Sequence, residues 1–357
     1  MTVGITPYLS LAFVHEQTGV SFNERYFNDP EYRREQDKII HQRLLAYFSQ
    51  HWPECAPAYA REPGYVVGVG AAYVIVAALF GSQIRYFDNF HPDSTPDPLA
   101  WVNEPDQLRV PDVATTWPLR QYLDQYAALV RQYGKGRVSL PGFAGGGALF
   151  PQYSGLSMHS PLTTAYKLRG VQLFLDMEER PELAHRLFEV VRDTYCRIFD
   201  LLIPLLGLQT DVIFFGACSS SWVSERVWRR WEMPFIMEIA ARYDARPIVH
   251  SCGRSTHILQ PLSELPRLLE LHLGDETDLA LARRLAPEVG IYVVPDSVGW
   301  ARNPPEQTRA AVWAIMEAAA SGPLAFQFVM EAGLSPATIQ AVLDVVREYN
   351  TQEGKQR

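Results

Sequence analysis

Five short apolar runs decide the fold: TDVIFFG (210–216), ARPIVHS (245–251), LLELHLG (268–274), GIYVVPD (290–296) and LAFQFVM (324–330). They are rich in β-branched and aromatic residues, which favour strands, and amphipathic helical stretches separate them. Strands that alternate with helices form a parallel sheet with right-handed crossovers. The C-terminal half of the chain is therefore predicted to be α/β.

The sequence upstream of these runs extends the prediction to a barrel. A strand candidate at Arg137–Phe143, with others before it, brings the number of strands near eight. Ser160-Pro161, Asn303-Pro304-Pro305 and Ser335-Pro336 each place a capping residue before proline, which marks a helix start. We predict an α/β fold, a (β/α)8 TIM barrel in one domain spanning residues 1–357, with a doubly wound open sheet as the alternative.

The first 60 residues predict an N-terminal helical extension. The segment Asp29–Trp52 carries Ile40, Leu44 and Phe48 at helical spacing. The N-terminal residues lack the basic region of a signal peptide. Tyr65–Phe80 is the most apolar run, but it is shorter than the about 20 residues that span a bilayer, so buried core is predicted.

The composition excludes several kinds of partner. The net charge of −8 is opposite to the basic surface that neutralises nucleic-acid phosphates. Gly145-Gly146-Gly147 does not match a phosphate-binding loop. We expect a small-molecule substrate and neither nucleic acid nor membrane as a partner, and a homodimer is left open. Reduced thiols in the cytoplasm are expected, because no disulfide-type spacing relates Cys55, Cys196, Cys218 and Cys252.

Reactive side chains follow each of the five runs. In a barrel the active site forms where strands end and the following loops begin. The strand pattern alone therefore predicts an active site at this end of the barrel. The residues at those positions are Cys218, His250, Cys252, His272, Asp275, Glu276, Asp296 and Glu331.

The motif His250-Ser251-Cys252 carries the most specific chemistry of these. An imidazole and a thiolate two residues apart can approach one cation from a single loop, and this donor pair suits zinc. The alternative is a packed histidine beside a buried thiol, since free cysteine is often found in protein cores.

The other strand-end residues each allow more than one interpretation. Cys218 is a further ligand, a nucleophile or a small loop residue. Asp275 and Glu276 either donate oxygen to a metal or cap the helix that begins near Thr277. Asp296 either orients substrate or is a turn residue.

Four segments together resemble one family, the uroporphyrinogen decarboxylase (URO-D) superfamily. The likeness is clearest over residues 160–350. The segments are SPLTTAYKLRGVQLFLDMEERPELAHRLFEVVRD (160–193), SSSWVSERVWRRWEMPFIMEI (219–239), IVHSCGRSTHILQPL (248–262) and ELHLGDETDLALARRLAPEVGIYVVPD (270–296).

The resemblance favours the methyltransferase arm of this superfamily. True uroporphyrinogen decarboxylases carry an N-terminal Arg-Gln-Ala-Gly-Arg motif whose arginines bind substrate carboxylates, and this motif is absent here. Methylcobalamin:coenzyme M methyltransferases and, more distantly, cobalamin-independent methionine synthases bind zinc through His-x-Cys, a later acidic residue and a final cysteine. The resemblance implies that His250 and Cys252 are ligands, that Glu276 or Asp275 is the acidic residue, and that Glu331 stands where the cysteine would be.

The sequence thus predicts a zinc-dependent methyltransferase that moves a methyl group between a methylcorrinoid, such as methylcobalamin or a corrinoid protein, and a thiol or related nucleophile. The predicted zinc ligands are His250, Cys252 and Glu331, with Glu276, Asp275 or Cys218 as the fourth, and Asp296 and Glu276 are the catalytic candidates. Two alternatives stay open: a decarboxylase or lyase of a small acid, with Asp296 or Glu331 moving a proton, and a corrinoid-binding barrel without catalysis.

Overall fold

A parallel sheet with helices packed on its outer face organises the computed structural model, which describes residues 3–143, 155–319 and 322–355. Within these ranges seven strands form one sheet in the order β1-β11-β10-β9-β8-β7-β6, and every neighbouring pair is parallel. The strands are β1 (Gly4–Leu9), β2 (Tyr65–Val66), β3 (Ile84–Arg85), β4 (Asp93–Ser94), β5 (Val138–Ser139), β6 (Leu156–His159), β7 (Val212–Gly216), β8 (Arg246–Ser251), β9 (Glu270–Gly274), β10 (Gly290–Val294) and β11 (Leu324–Met330).

The helices lie between these strands, as the alternating pattern predicts. They are α1 (Leu11–Thr18), α2 (Glu24–Asn28), α3 (Pro30–His51), α4 (Ala72–Leu79), α5 (Leu119–Tyr133), α6 (Pro161–Arg169), α7 (Gln172–Glu179), α8 (Pro181–Leu206), α9 (Glu225–Trp231), α10 (Met233–Arg242), α11 (Leu259–Ser263), α12 (Leu279–Leu285), α13 (Ser297–Arg302), α14 (Pro305–Ala318) and α15 (Pro336–Lys355).

The five runs that decide the fold are strands β7 to β11, so this part of the prediction is confirmed. Two of the three predicted helix starts also hold: Ser160 caps α6, and Ser335 Oγ accepts from Thr338 N at 3.1 Å as α15 begins. At the third start the cap position of α14 is Pro304 rather than Asn303, because the helix begins one residue later.

Alternate residues of the sheet point to opposite faces. On β7, Ile213 and Phe215 are buried in the main core against the helices. Phe214, between them, packs with Ile248 and Tyr292 in a separate small cluster on the other face. The sheet therefore has an inner face of its own, distinct from the helix-covered one.

The sheet curls so far that its two edge strands contribute to one cavity, which is lined by Tyr8 of β1 and His159 of β6. The α/β class and the parallel sheet are confirmed, but over the described ranges the hydrogen-bonded sheet has seven strands and does not close into an eight-stranded ring. The pair β2–β5 is separate and only two residues long. Gly68 and Gly142, which have positive φ, turn the chain away from extended geometry soon after these two strands.

The N-terminal extension differs from the prediction in one element. Residues Gly4–Leu9 form an edge strand paired with β11, while α1, α2 and α3 account for most of the helical content that was predicted. An edge strand tolerates Pro7, which has no N–H to donate to a ladder. The strand was missed because its partner lies more than 300 residues away along the chain.

The apolar run Tyr65–Phe80 is buried, as predicted. It contributes β2 and α4, and α4 residues Val74, Ile75 and Val76 are fully enclosed by the core. Across the described ranges, no helix combines the length and the apolar character that a bilayer crossing needs.

Candidate metal centre and adjoining cavity

Two cysteines and a histidine converge at the carboxyl ends of β7 and β8. The ligand atoms of Cys218, His250 and Cys252 all lie within 4.8 Å of one another, and this is the one such group of three or more His, Cys, Asp or Glu residues in the described part of the chain. The sulfur atoms of Cys218 and Cys252 are 3.5 Å apart.

The pairing of β7 with β8 explains the convergence. Gly216 lies opposite His250 in the register, so Cys218, two residues further on, comes alongside Cys252. Ala217 N donates to His250 O at 2.7 Å, which holds the turn after β7 against the end of β8. The signal for Cys218 in the sequence was its position after a strand, but only the register assigns it to His250-Ser251-Cys252.

The turn Cys218–Trp222 is a single 3-10 turn fixed at several points. Ser219 N donates to Thr163 Oγ1 at 3.3 Å, and Trp228 Nε1 donates to Ser220 Oγ at 3.1 Å. These bonds link the turn to α6 and α9, so the Cys218 thiol is held by two neighbouring helices rather than by its own loop alone.

The loop that carries Cys252 lies against the end of β9. A Cβ added at Gly274 would come within 2.3 Å of Cys252 O, so the close approach requires glycine there. Ser255 N donates to Thr277 Oγ1 at 3.0 Å, and Thr277 Oγ1 donates to Gly253 O at 3.2 Å. Contacts with the end of β9 thus fix one side of the loop, and the contact between Cys252 and Cys218 fixes the other side.

The two thiols have different tendencies to ionise. Their shared hydrogen bond holds the pKa of Cys252 well below its ordinary value, and the charge of His250 lowers it further. The same bond, together with burial, raises the pKa of Cys218. The cluster thus favours a thiolate at Cys252, which is exposed, while His250 is 7% exposed.

The donor set fits zinc. Two sulfurs and one imidazole are the soft ligands that zinc takes in proteins, and three protein ligands leave the fourth position for water or substrate, as in catalytic zinc sites. Cys218, His250 and Cys252 are the residues that would hold the ion.

The structure places the carboxylates that were predicted as ligands elsewhere. Glu331 follows β11, which β9 and β10 separate from β8, and it is absent from the cluster. It lies instead near Tyr8, whose pKa is raised by burial and then by the negative charge of Glu331. Glu276 is exposed at the surface, with its Oε2 3.4 Å from Arg254 Nη2.

The two aspartates at this end of the sheet bond to the backbone. Asp296 Oδ1 accepts from Gly299 N at 3.0 Å and caps α13. Asp275 Oδ2 accepts from Asp296 N at 3.1 Å, and burial raises the pKa of Asp275. Asp278, rather than Asp275 or Glu276, caps α12. The predicted catalytic residues Asp296 and Glu276 thus follow strand ends as expected but lie outside the cluster.

A cavity of about 260 Å³ adjoins the cluster on the inner face of the sheet. Most of the residues that line it were not predicted from the sequence, because they come from separate short elements and loops. The residues lining it are Tyr8, Gly70, Ala71, Ala72, Tyr73, Phe90, His91, Gly142, Ser157, Met158, His159, Phe214, Gly216, Cys218 and His250.

Two histidines that line the cavity have pKa values lowered by burial. Tyr8 Oη and His91 Nε2 are hydrogen-bonded at 2.9 Å, and burial lowers the pKa of His91. Burial, then the charges of His250 and Lys167, lower the pKa of His159 to about 3. Its Nδ1 is buried and has no hydrogen-bond partner among the described residues. The ring of His159 lies 4.5 Å from that of Tyr73.

The geometry defines an α/β protein whose candidate site is at the carboxyl end of a curled parallel sheet. The family model for uroporphyrinogen decarboxylase (URO-D) matches residues 66–349. The chain therefore belongs to the URO-D family, which confirms the resemblance seen in the sequence and extends it toward the N-terminus.

One solved structure shows the same fold at low sequence identity, and a second aligns more weakly. A methyltransferase from Methanosarcina mazei aligns with a TM-score of 0.64 and 14% identity, covering 98% of this chain and 94% of that chain. A B12-independent methionine synthase from Shewanella sp. W3-18-1 aligns with a TM-score of 0.46 and 11% identity, covering 97% of this chain and 99% of that chain. No curated protein sequence matches the chain.

Proposed function

We propose that the protein is a zinc-dependent methyltransferase that transfers a methyl group from a methylcorrinoid to a thiol. The observation that carries the proposal is the cluster of Cys218, His250 and Cys252, whose three ligand atoms fall within 4.8 Å. Membership of the URO-D family supports it, because that superfamily has a methyltransferase arm.

We propose Cys218, rather than Glu331, as the third zinc ligand. Cys218 is already in contact with Cys252, and its addition gives a softer site than a carboxylate would. Two thiolates donate more electron density to the ion, which suits a site that activates a sulfur nucleophile. The final cysteine that the resemblance led us to expect is thus supplied from β7 instead of the last strand.

Bound zinc would lower the pKa of an acceptor thiol at the open position, so that more thiolate is present near neutral pH. The chain's own residues hold the site and enclose the acceptor: Cys218 and His250 line the cavity as well as the cluster. In the transfer, sulfur forms a bond to the methyl carbon while the bond between methyl and donor breaks and its electron pair leaves with the donor.

Decarboxylation of a polycarboxylate has less support. None of the described residues that line the cavity is an arginine or a lysine, so no cationic side chain there pairs with substrate carboxylates. Asp296, a candidate proton carrier, caps α13. We therefore expect no turnover of uroporphyrinogen, and formation of coproporphyrinogen at enzymatic rates would favour this alternative instead.

The test is a methyl-transfer assay with the full chain loaded with zinc. With methylcobalamin and 2-mercaptoethanol, we expect the absorption bands of methylcobalamin to disappear as the methyl group is transferred. Mass spectrometry should detect the methyl thioether product, and a chelator should abolish the reaction. Binding of methylcobalamin without transfer to any thiol would contradict the proposal and favour a corrinoid-binding barrel without catalysis.

Because all four cysteines are unlinked, the reduced cytoplasm is the compartment we propose.

A further inference from the structure

We infer that the cavity beside the cluster binds the uncharged aromatic body of the acceptor, so that the substrate is a neutral aryl or arylalkyl thiol and not an anionic one. The inference deepens the proposed function and rests on it for the position of the sulfur. Cys218 and His250 belong to both the cluster and the cavity. A thiol bound at the open metal position would therefore extend its carbon body into the cavity.

The walls favour an aromatic body. Tyr73, Phe90 and Phe214 present rings to the cavity, and Met158 adds a polarisable thioether. Phe90 is 63% exposed although it lines the cavity, so a ring bound there would bury apolar surface that is now open to water.

The size of the cavity limits the ligand. A volume of about 260 Å³ exceeds the about 150 Å³ of a cavity that binds benzene. It is below the about 300–1,000 Å³ of pockets for drug-sized molecules. One aromatic ring with a short linker to the sulfur matches this volume.

The charge of the walls decides against an anion. No Lys, Arg, Asp or Glu is among the described residues that line the cavity. The nearby cation Lys167 is paired with Asp93 at 2.7 Å, and its Nζ lies 5.3 Å from the centre of the Tyr73 ring. A carboxylate or sulfonate in this cavity would lose its hydration without gaining a lysine or arginine partner from the described wall, which is costly. Tyr8 and His91 instead offer a neutral pair to a weakly polar substituent.

The experiment compares two thiols of nearly the same size and shape that differ in charge, neutral 4-(mercaptomethyl)benzamide and anionic 4-(mercaptomethyl)benzoate, by isothermal titration calorimetry with the zinc-loaded full chain. We expect the neutral thiol to bind at least 100-fold more tightly. Phe90→Ala should weaken its binding about fivefold, whereas Trp101→Ala should not, because Trp101 is also an exposed aromatic residue but is absent from the cavity wall. Equal affinity for the two thiols, or tighter binding of the carboxylate, would overturn the inference.

A second titration separates this inference from the zinc proposal. The chelator-treated full chain is titrated with phenylmethanol, which has the aromatic body and no thiol. Binding that Phe90→Ala weakens and Trp101→Ala leaves unchanged would support the cavity assignment even if the wild-type protein held no zinc. A chain that takes up zinc but does not bind phenylmethanol, or binds it equally well after Phe90→Ala, would refute the cavity assignment and leave the zinc proposal standing.

Discussion

Reactive side chains have different roles in two regions at the same end of the sheet. At the corner between β7 and β8, Cys218 and Cys252 bring their sulfurs within 3.5 Å beside His250. Along β9 to β11, the acidic residues serve other contacts: Asp296 caps a helix, and Glu276 pairs with Arg254 at the surface. Both regions follow strand ends, so a position after a strand is not enough to make a site.

The difference lies in register and in local backbone demands. Cys218 reaches Cys252 because Gly216 and His250 are partners on adjacent strands. Asp296 lies where α13 begins and its backbone N–H groups need an acceptor, so its carboxylate is already engaged. Convergence therefore depends on neighbouring strands, and capping removes residues that sequence alone would count as candidates.

The largest stability effect is expected at a third kind of acidic residue, Glu232, which is fully buried and accepts from Leu162 N at 2.6 Å. Burial raises its pKa to about 7, while hydrogen bonds from Ser160 and Leu162 lower it. A carboxyl group with a raised pKa in the folded state destabilises the fold as pH rises from about 4.5 to about 7, by about 3 kcal/mol at most. Glu232→Gln should flatten this part of the stability profile.

Urea unfolding between pH 4.5 and 8 measures the effect at Glu232. Glutamine keeps a carbonyl oxygen for Leu162 N, so the variant should lose less stability than the wild type as pH rises. Glu276→Gln is the matched control, since Glu276 is exposed and should leave the pH profile unchanged. Identical profiles for Glu232→Gln and the wild type would refute the assignment.

The next largest effect tests whether backbone packing holds the metal corner together. In Gly274→Ala the new Cβ would meet Cys252 O at 2.3 Å, so the loop must shift. Overpacking of this kind costs about 1–3 kcal/mol, and zinc affinity should fall because Cys252 is displaced from its present position relative to Cys218 and His250. Gly136→Ala is the control, because nothing lies within 4 Å of its added Cβ. Zinc titration and urea unfolding of both variants check this, and unchanged affinity in Gly274→Ala would contradict it.

The smallest effects are expected along β9 to β11. Asp296→Ala removes a helix cap and should cost about 1 kcal/mol of unfolding free energy. Glu276→Ala removes an exposed ion pair and should cost less than about 0.5 kcal/mol. Neither variant should change zinc content, measured by elemental analysis. Loss of zinc from either variant would show that the acidic residues along β9 to β11 also hold the metal, which would contradict the account.

Sequence patterns predicted what is local and missed what is distant. The strands β7 to β11, the starts of α6 and α15, and the His250-Ser251-Cys252 motif all follow from short-range patterns. The pairing of β1 with β11 did not, because it joins opposite ends of the chain. The same holds for the contact between Tyr8 and His91, which brings a strand and a loop to one cavity wall.

The prediction of Glu331 as a zinc ligand also depends on how distant parts of the chain are arranged. The resemblance located the last ligand at the end of the last strand, yet β11 is three positions from β8 in the sheet order. Cys218 is one strand away, and only a register between β7 and β8 reveals it. Positions after strand ends therefore give a set of candidates, and the order and register of the strands show which of them lie together.

The zinc content of purified, untagged protein tests the central claim most directly. Elemental analysis should find one zinc per chain in the wild type, in Glu331→Ala and in the control Cys55→Ser, whose thiol lies outside the cluster. Cys218→Ser and Cys252→Ser should lose most of the metal and keep a wild-type circular dichroism spectrum, because a core of this size does not depend on the ion. A wild type without zinc, or loss of zinc in Glu331→Ala with retention in Cys218→Ser, would contradict the account.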